Sequence, residues 1–186
     1  MLQPTEQWQW QPNPAHNQLF LDIDVSMSFT TAYESKYLTA DAMTDNTFSL
    51  DDAEYYQQTV TVLSEMNVWS MPEVVQIALN ATAAHRFYKP MMPKSWFFKT
   101  NRLPAQFVSS ASASMSDAAD AVCLLYTELG CGRFLVVEQG DKASICMLLE
   151  EQLPLNETRS MARFDIIKVM NDRQFTLCEV QQLKYA

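Results

Sequence analysis

"SLDDAEYYQQTVTVLSEMNVWSMPEVVQIALNATAAHRF", residues 49–87, predicts two consecutive helices, and these helices organise the rest of the fold. Ser49 can cap the first helix together with Asp52, and Ser70 with Glu73 repeats the pattern for the second. Pro90 should end the second helix, because the residue before a proline avoids the α region. Apolar residues recur at helical spacing in both segments: Ala53, Tyr56, Val60 and Leu63 in the first, and Met71, Val74, Val75, Ala78 and Ala81 in the second.

The sequence on both sides of the helices alternates as strands do. The segments that predict strands before the helices are QWQW (7–10), QLFLDID (18–24) and MSFTTAY (27–33). RFLVVEQGDKASICMLL (133–149) predicts a hairpin that turns at Gly140-Asp141, and RFDIIKVM (163–170) and FTLCEVQQLKY (175–185) predict further strands. The residues therefore predict an α+β chain, with an α/β domain over 1–100 that holds the two helices and a β-rich domain over 101–186.

The formal net charge of −9 is unevenly distributed along the chain. Residues 1–73 carry eleven acids and one base, Lys36, which gives a net charge of −10. Residues 74–116 carry five bases and no acid. Such a block can steer an oriented partner, or it can balance acids elsewhere in the fold, and the composition leaves both interpretations open.

The termini and the cysteines bear on the cellular compartment. The first residues lack the basic and apolar regions of a secretion signal, and apolar runs such as AVCLLY (121–126) are too short to span a membrane. We therefore expect a cytoplasmic protein without membrane insertion. Its four cysteines, at 123, 131, 146 and 178, match no zinc or redox spacing and should be reduced thiols.

Few residues are suited to catalysis or to cofactor binding. The chain has three glycines, and GCGRF (130–134) is too short for a phosphate-binding loop. The two histidines, His16 and His85, have no second ligand at metal-binding spacing. A Cys–His nucleophile stays open, since such partners need not be adjacent in sequence. We predict no catalytic residues, no metal and no cofactor, and hence a protein that is not an enzyme.

The segment RFYKPMMPKSWFFK, residues 86–99, concentrates four of the thirteen bases with five aromatic side chains. Such a mixture binds single-stranded nucleic acid by stacking, but an acidic chain repels a polyanion over most of its surface. It also suits a protein or peptide partner, with methionine as an adaptable contact. The third interpretation is that the aromatic rings are core and the lysines extend past them. Phe97 and Phe98 are predicted in a strand with one ring inward, whereas Lys89 and Lys94 should be exposed.

Five segments, in this order, resemble segments of the ZapC family of γ-proteobacterial cell-division proteins. They are WQW (8–10), LFLDID (19–24), KPMMPKSWFF (89–98), LVVEQGDKASICMLL (135–149) and IIKVMNDR (166–173). The resemblance covers most of the chain. It weakens at residues 100–122, at 150–162 and in the C-terminal tail.

The resemblance implies a monomeric, non-enzymatic partner of FtsZ, the tubulin-like GTPase of the division ring. Family members bind FtsZ directly, bundle its protofilaments, stabilise the ring at midcell and lower GTP turnover. Their second domain is β-barrel-like, so an antiparallel barrel is expected for residues 101–186. FtsZ is acidic and ends in a flexible tail with a short apolar and charged peptide.

On this basis the FtsZ-binding residues are expected in and near the 86–99 segment. Lys89 and Lys94 form the cationic rim, and Arg173 adds a basic contact. The expected apolar lining is Met91, Met92, Trp96 and Leu21, although a core role for Leu21 is equally open. The alternative function is a small-molecule or single-stranded nucleic-acid binding module, for which DNA binding without FtsZ binding would be diagnostic.

Overall fold

The computed structural model describes residues 2–13, 17–39, 46–89, 91–101 and 121–176. The chain divides into two compact units, Met1–Pro90 and Met91–Ala186. The predicted domain division at residue 100 stays a prediction.

The first unit contains a three-stranded antiparallel sheet and two helices. Its strands are β1 (Gln9–Asn13), β2 (Gln18–Asp24) and β3 (Met27–Glu34), in the order β1-β2-β3. A 3₁₀ turn at Ser35–Tyr37 follows β3. The helices are α1 (Leu50–Glu65) and α2 (Met71–Phe87). All three predicted strands and both predicted helices are confirmed.

The helices begin where the sequence predicts. The Ser49 hydroxyl accepts a hydrogen bond from the Asp52 amide at 3.1 Å, and the Asp52 carboxylate accepts one from the Ser49 amide at 2.9 Å. The Glu73 carboxylate accepts in the same way from the Ser70 amide at 2.9 Å. These contacts satisfy N–H groups that have no partner within a helix. Helix α2 ends at Phe87, while Pro90 lies outside the described residues.

The buried apolar side chains of the first unit come from its sheet and from both helices. Alternation along β2 buries Leu19, Leu21 and Ile23. Trp10 is fully buried and meets the Phe87 ring edge to face at a centroid distance of 5.7 Å. The ring of Trp10 in β1 is therefore packed against the end of α2.

The second unit consists mainly of strands. The strands are β4 (Val122–Tyr126), β5 (Cys131–Glu138), β6 (Ala143–Leu148), β7 (Gln152–Asn156), β8 (Arg159–Ala162), β9 (Ile166–Met170) and β10 (Phe175–Thr176). Five of them form an antiparallel sheet in the order β10-β4-β5-β6-β9, and β7 pairs with β8 in a separate hairpin. The predicted β5–β6 hairpin and the strand at β9 are confirmed. The last predicted strand is described only through β10.

Two predictions for the second unit come out differently. The α+β class is confirmed, but over the described residues these strands form no closed barrel, so the barrel-like domain is not confirmed. Phe97 belongs to a 3₁₀ turn, Ser95–Phe97, and not to a strand, so that prediction is wrong. The turn still sends one of the two rings inward, since Phe98 is buried.

The cysteine prediction holds where the structure describes the residues. Cys123, Cys131 and Cys146 are free thiols, and Cys178 lies outside the described residues. A hydrogen bond with Cys123, together with full burial, raises the pKa of Cys146 well above its usual range. Cys146 is therefore a protonated core thiol. Nowhere in the described ranges is a helix both long enough and apolar enough to cross a membrane.

Candidate protein-interaction site

The 86–99 segment crosses the boundary between the two units. Residues 86–89 belong to the first unit and residues 91–99 to the second. Its residues therefore form two groups, one in each unit.

Arg86 is a structural residue of the first unit. Its guanidinium makes an ion pair with the buried carboxylate of Asp52 and also donates to the Thr47 carbonyl. The same carboxylate accepts from Trp10 Nε1 at 3.2 Å. Asp52 therefore caps α1 and binds two further donors that come from β1 and from the end of α2. Arg86 is committed to this network and does not contribute to a binding rim.

Lys89 is exposed and held in place. Its ammonium donates to the Lys36 carbonyl at 2.9 Å, and its amide donates to the Tyr37 carbonyl at 2.9 Å. The Lys36 ammonium lies 2.7 Å from a Glu34 carboxylate oxygen, and this hydrogen bond, helped by Tyr37, raises the pKa of Lys36. No spacing in the sequence predicts this contact, because Lys36 and Lys89 are 53 positions apart.

Leu21 lies in the core of the first unit. Its side chain is fully buried at the centre of β2, opposite Trp10 in β1. This burial supports the core role that the sequence left open. The contact of Leu21 with a partner stays a prediction.

An open cleft of about 700 Å³ lies in the first unit, at the β2–β3 turn. Its wall includes three acidic side chains, Glu6, Asp22 and Asp24, together with Val25 and Met27. The Asp24 carboxylate accepts hydrogen bonds from the Ser26 amide and hydroxyl, which lower the pKa of Asp24. An acidic partner would be repelled by this wall.

Residues 94–101 are held by hydrogen bonds to other parts of the second unit, and each of these bonds uses at least one backbone group. The Lys94 amide donates to the Lys168 carbonyl at 2.8 Å, and the Met170 amide donates to the Ser95 hydroxyl at 2.9 Å. The Asn101 amide reaches the Asp172 carbonyl at 2.6 Å. These bonds to β9 and the turn after it fix the segment's conformation.

The fixed segment separates a buried ring from an exposed one. Phe98 packs in the core against Phe134, with ring centroids 6.0 Å apart. Trp96 is 71% exposed and Met92 is 81% exposed, while Lys94 is also exposed. Methionine and aromatic residues are enriched at protein interfaces, so these exposed side chains make the segment a candidate surface for a protein partner.

The two remaining predicted contacts in the second unit are less accessible. Met91 is half-buried. The Arg173 guanidinium donates to the Phe98 carbonyl at 2.9 Å and lies 3.2 Å from the Asp172 carboxylate. Arg173 therefore stabilises the 94–101 segment. The structure places Arg173 next to the segment, where its guanidinium binds the backbone.

The side chains that could bind a metal ion are scattered over the described residues. In the parts of the chain that the structure describes, no three His, Cys, Asp or Glu side chains are grouped closely enough to hold a metal ion. His85, at the end of α2, stacks on Tyr55 with a centroid distance of 4.2 Å. That contact accounts for this histidine without a catalytic role.

Residues 92–96 present an exposed cation between two exposed apolar side chains, and they are the candidate surface for a protein partner. Residues 1–89 match the family model described as "Cell-division protein ZapC, N-terminal". Residues 90–180 match "Cell-division protein ZapC, C-terminal". The chain belongs to the ZapC family of cell division proteins, which confirms the resemblance.

Full-length relatives support this assignment. The cell division protein ZapC of Aeromonas hydrophila is 38% identical over 172 residues, which cover 92% of this chain and 90% of the relative. That of Aliivibrio salmonicida is 38% identical over 187 residues, covering 100% and 98%. That of Shewanella woodyi is 38% identical over 173 residues, covering 93% and 90%. The relatives are named as division factors, and this supports a role in cell division.

Proposed function

We propose that this chain is a non-enzymatic division factor that binds FtsZ directly, bundles its protofilaments, stabilises the division ring and lowers GTP turnover. The observation that carries the proposal is the match of both units to the two ZapC family models. On this proposal the chain is a cytoplasmic monomer at midcell, and it requires no cofactor.

The exposed residues of the second unit support the choice of partner. Met92 and Trp96 offer apolar and aromatic area, which dominates binding energy at protein interfaces. Lys94 adds a positive charge suited to an acidic polymer. Because backbone hydrogen bonds already fix this segment, little conformational entropy is lost when a partner binds.

Co-sedimentation with GTP-assembled FtsZ tests the proposal directly. We expect the chain to pellet with polymers of full-length FtsZ and to remain in the supernatant when FtsZ is omitted. FtsZ without its C-terminal peptide shows whether that peptide is the docking element. Failure to pellet with either polymer, at low salt and micromolar concentration, would contradict the proposal.

Sedimentation velocity tests the monomeric state separately. We expect one species with the mass of a single chain across the concentrations used for pelleting. A tight dimer would be inconsistent with the proposed monomer and would offer a different route to bundling, with one FtsZ contact per subunit.

A further inference from the structure

One face of the three-stranded sheet in the first unit is open to solvent. Alternation along β2 turns Leu19, Leu21 and Ile23 inward, so the side chains between them belong to the opposite face. The strand register arranges the side chains of this face in two rows across the sheet. We call these two rows the outer sheet face: Gln11, Phe20 and Thr30 in one, and Gln9, Asp22 and Ser28 in the other.

The outer sheet face is accessible across its width. Gln9 and Gln11 in β1 are exposed, and so are Ser28 and Thr30 in β3. Phe20, at the centre, is only half-buried. Antiparallel sheets often have one solvated face, but this face combines an aromatic ring with neighbouring amide and hydroxyl groups. An extended peptide that lies on it can therefore make both apolar contacts and hydrogen bonds.

The cleft at the β2–β3 turn is continuous with the row that contains Asp22. Its wall includes Gln9 and Asp22, together with the carboxylates of Glu6 and Asp24, and none of the described side chains that line it is basic. Asp24 is hydrogen-bonded to Ser26. Among the described residues, Glu6 and Asp22 make no ion pair. The cleft therefore presents two carboxylates whose charge no neighbouring base neutralises.

Two apolar side chains of the cleft are open to water. Val25, at the tip of the β2–β3 turn, is fully exposed, and Met27 is 41% exposed. Apolar area of this kind is stabilised when a partner removes it from water. In the described part of the chain, the carboxylates are not grouped closely enough to hold a metal ion. The combination of separated carboxylates with apolar side chains suits a peptide better than a cation.

We propose that the outer sheet face and its cleft bind an extended basic segment of another protein. Glu6 and Asp22 receive its Lys or Arg side chains, and Val25 and Met27 contact an apolar side chain next to them. Phe20 lies beneath the continuing segment. This surface is opposite in charge to the exposed cation of residues 92–96, so the two surfaces take partners of different chemistry.

The charge of the first unit selects the basic occupant. Residues 1–73 carry eleven acids and one base, Lys36, whose ammonium lies 2.7 Å from a Glu34 carboxylate oxygen. A nucleic acid or an anionic membrane would be repelled by this field, and so would a second copy that docks through the same face. A basic segment is attracted, and its complementary charge also raises its association rate. The inference does not depend on FtsZ binding.

The test measures the fluorescence anisotropy of a short fluorescein-labelled peptide with the repeat Arg-Ser-Leu, titrated with the full chain. We expect binding at low salt that weakens as salt rises. Thr30→Arg places a positive charge on the face and should weaken binding about fivefold, whereas Thr30→Glu should strengthen it. Thr61→Arg is the matched control, because Thr61 is an exposed threonine of α1 in the same unit. It should change binding by less than about twofold.

A second variant and melting curves keep the test independent of folding defects. Gln9→Arg makes the same charge change on β1, at another exposed position of the face, and should also weaken binding. Melting curves of all variants show which of them are folded. Equal weakening by Thr30→Arg and Thr61→Arg would show that the peptide follows net charge alone, and it would overturn the inference. Failure of the peptide to bind at low salt would overturn it as well.

Three further arms assign the face to other occupants. A peptide with the repeat Glu-Ser-Leu that binds equally well would exclude charge recognition. Calcium that displaces the Arg-Ser-Leu peptide, when sodium chloride of the same ionic strength does not, would assign the carboxylates to a cation. In sedimentation velocity, a dimer that Thr30→Arg dissociates would assign the face to a second copy. Each of these results overturns the inference and leaves the proposed function standing, because FtsZ takes no part in the measurements.

Discussion

Asp52 is a carboxylate almost completely removed from water, and the contacts around it explain how the fold tolerates it. One of its oxygens, Oδ2, accepts from the Ser49 amide, from Trp10 Nε1 and from the Arg86 guanidinium. A buried charge is stable only when it is paired and hydrogen-bonded, and here both conditions hold. Removing its charge would break the ion pair that it makes with the half-buried Arg86.

Asp52→Asn should therefore destabilise the chain. The amide retains the size of the carboxylate but removes the negative charge, and we expect a loss of about 3 kcal/mol in the free energy of unfolding, as for other broken buried ion pairs. Asp51→Asn is the matched control, because Asp51 lies in the same first turn of α1 but is exposed, and it should change stability by about 0.5 kcal/mol or less. Urea unfolding followed by circular dichroism measures both. Equal small losses for the two variants would contradict the structural role of the network.

The contacts of Arg86 and Arg173 could not be predicted from the order of residues along the chain. Both look like members of a basic surface when only sequence neighbours are considered. Arg86 pairs with a residue 34 positions earlier, and Arg173 binds a carbonyl 75 positions earlier. No local spacing encodes such contacts. The exposed lysines of the segment were predictable, since the prolines between them prevent a continuous helix.

The β5–β6 hairpin is an element whose turn depends on one glycine. A Cβ atom at Gly140 would lie 2.4 Å from the Ala143 carbonyl oxygen, a backbone atom within the turn's own exit strand. Because glycine has no side chain, Gly140 can lie close to the Ala143 carbonyl in the turn that pairs β5 with β6. The sequence signal for this turn was correct for that physical reason.

Gly140→Ala should destabilise the hairpin, since the clash is with backbone that can move only by distorting the turn. We expect a loss of about 2 kcal/mol, as for other overpacked sites. Gly130→Ala is the control, because the nearest side-chain atom to a Cβ there is at 3.9 Å, which is an ordinary contact. Thermal melts of both variants provide the comparison. A Gly140→Ala protein as stable as Gly130→Ala would show that the turn can relax.

The elements were predictable where local chemistry decides them. The caps at Ser49 and Ser70, the alternation of β2 and the turn at Gly140 are all encoded within a few residues. The segment after Pro93 was not, because its 3₁₀ turn is imposed by hydrogen bonds to Lys168 and Met170 in a distant strand. Two adjacent phenylalanines favour a strand by propensity, and tertiary contacts override that preference here.

At the scale of the whole molecule, membership of the ZapC family supports a role in cell division. We predict that the chain lowers FtsZ GTP turnover without hydrolysing GTP. FtsZ completes its catalytic site between subunits, so slower subunit exchange in bundles is sufficient to reduce turnover. Phosphate release is measured for FtsZ alone, for the mixture and for the chain alone, with light scattering to record bundling. Phosphate release by the chain alone, or full bundling at unchanged turnover, would refute this prediction.

The distribution of charge over both units leads to the final prediction, which concerns Lys89 in the first unit and Lys94 in the second. Both lysines are exposed, so the double variant Lys89→Glu/Lys94→Glu should retain wild-type stability within about 0.5 kcal/mol. Binding to FtsZ should fall much further, because each reversal replaces attraction with repulsion at an acidic partner. Rim charges act mainly on the association rate, so wild-type binding should also weaken as salt rises. The double variant should bind weakly at every salt concentration.

A core role for these lysines predicts the opposite order of effects. If the Lys94 stem packs over Trp96, its reversal lowers stability first, and binding is lost only through unfolding. Melting curves and FtsZ co-sedimentation on the same preparations distinguish the two. Lys142→Glu is the matched control for Lys94→Glu, since it makes the same charge change at an exposed residue of the β5–β6 turn. The two single variants show which unit carries the larger share of the interaction. A double variant that melts like the wild type and still pellets fully would exclude both lysines from the binding site, and the partner would then have to contact Met92 and Trp96 without them.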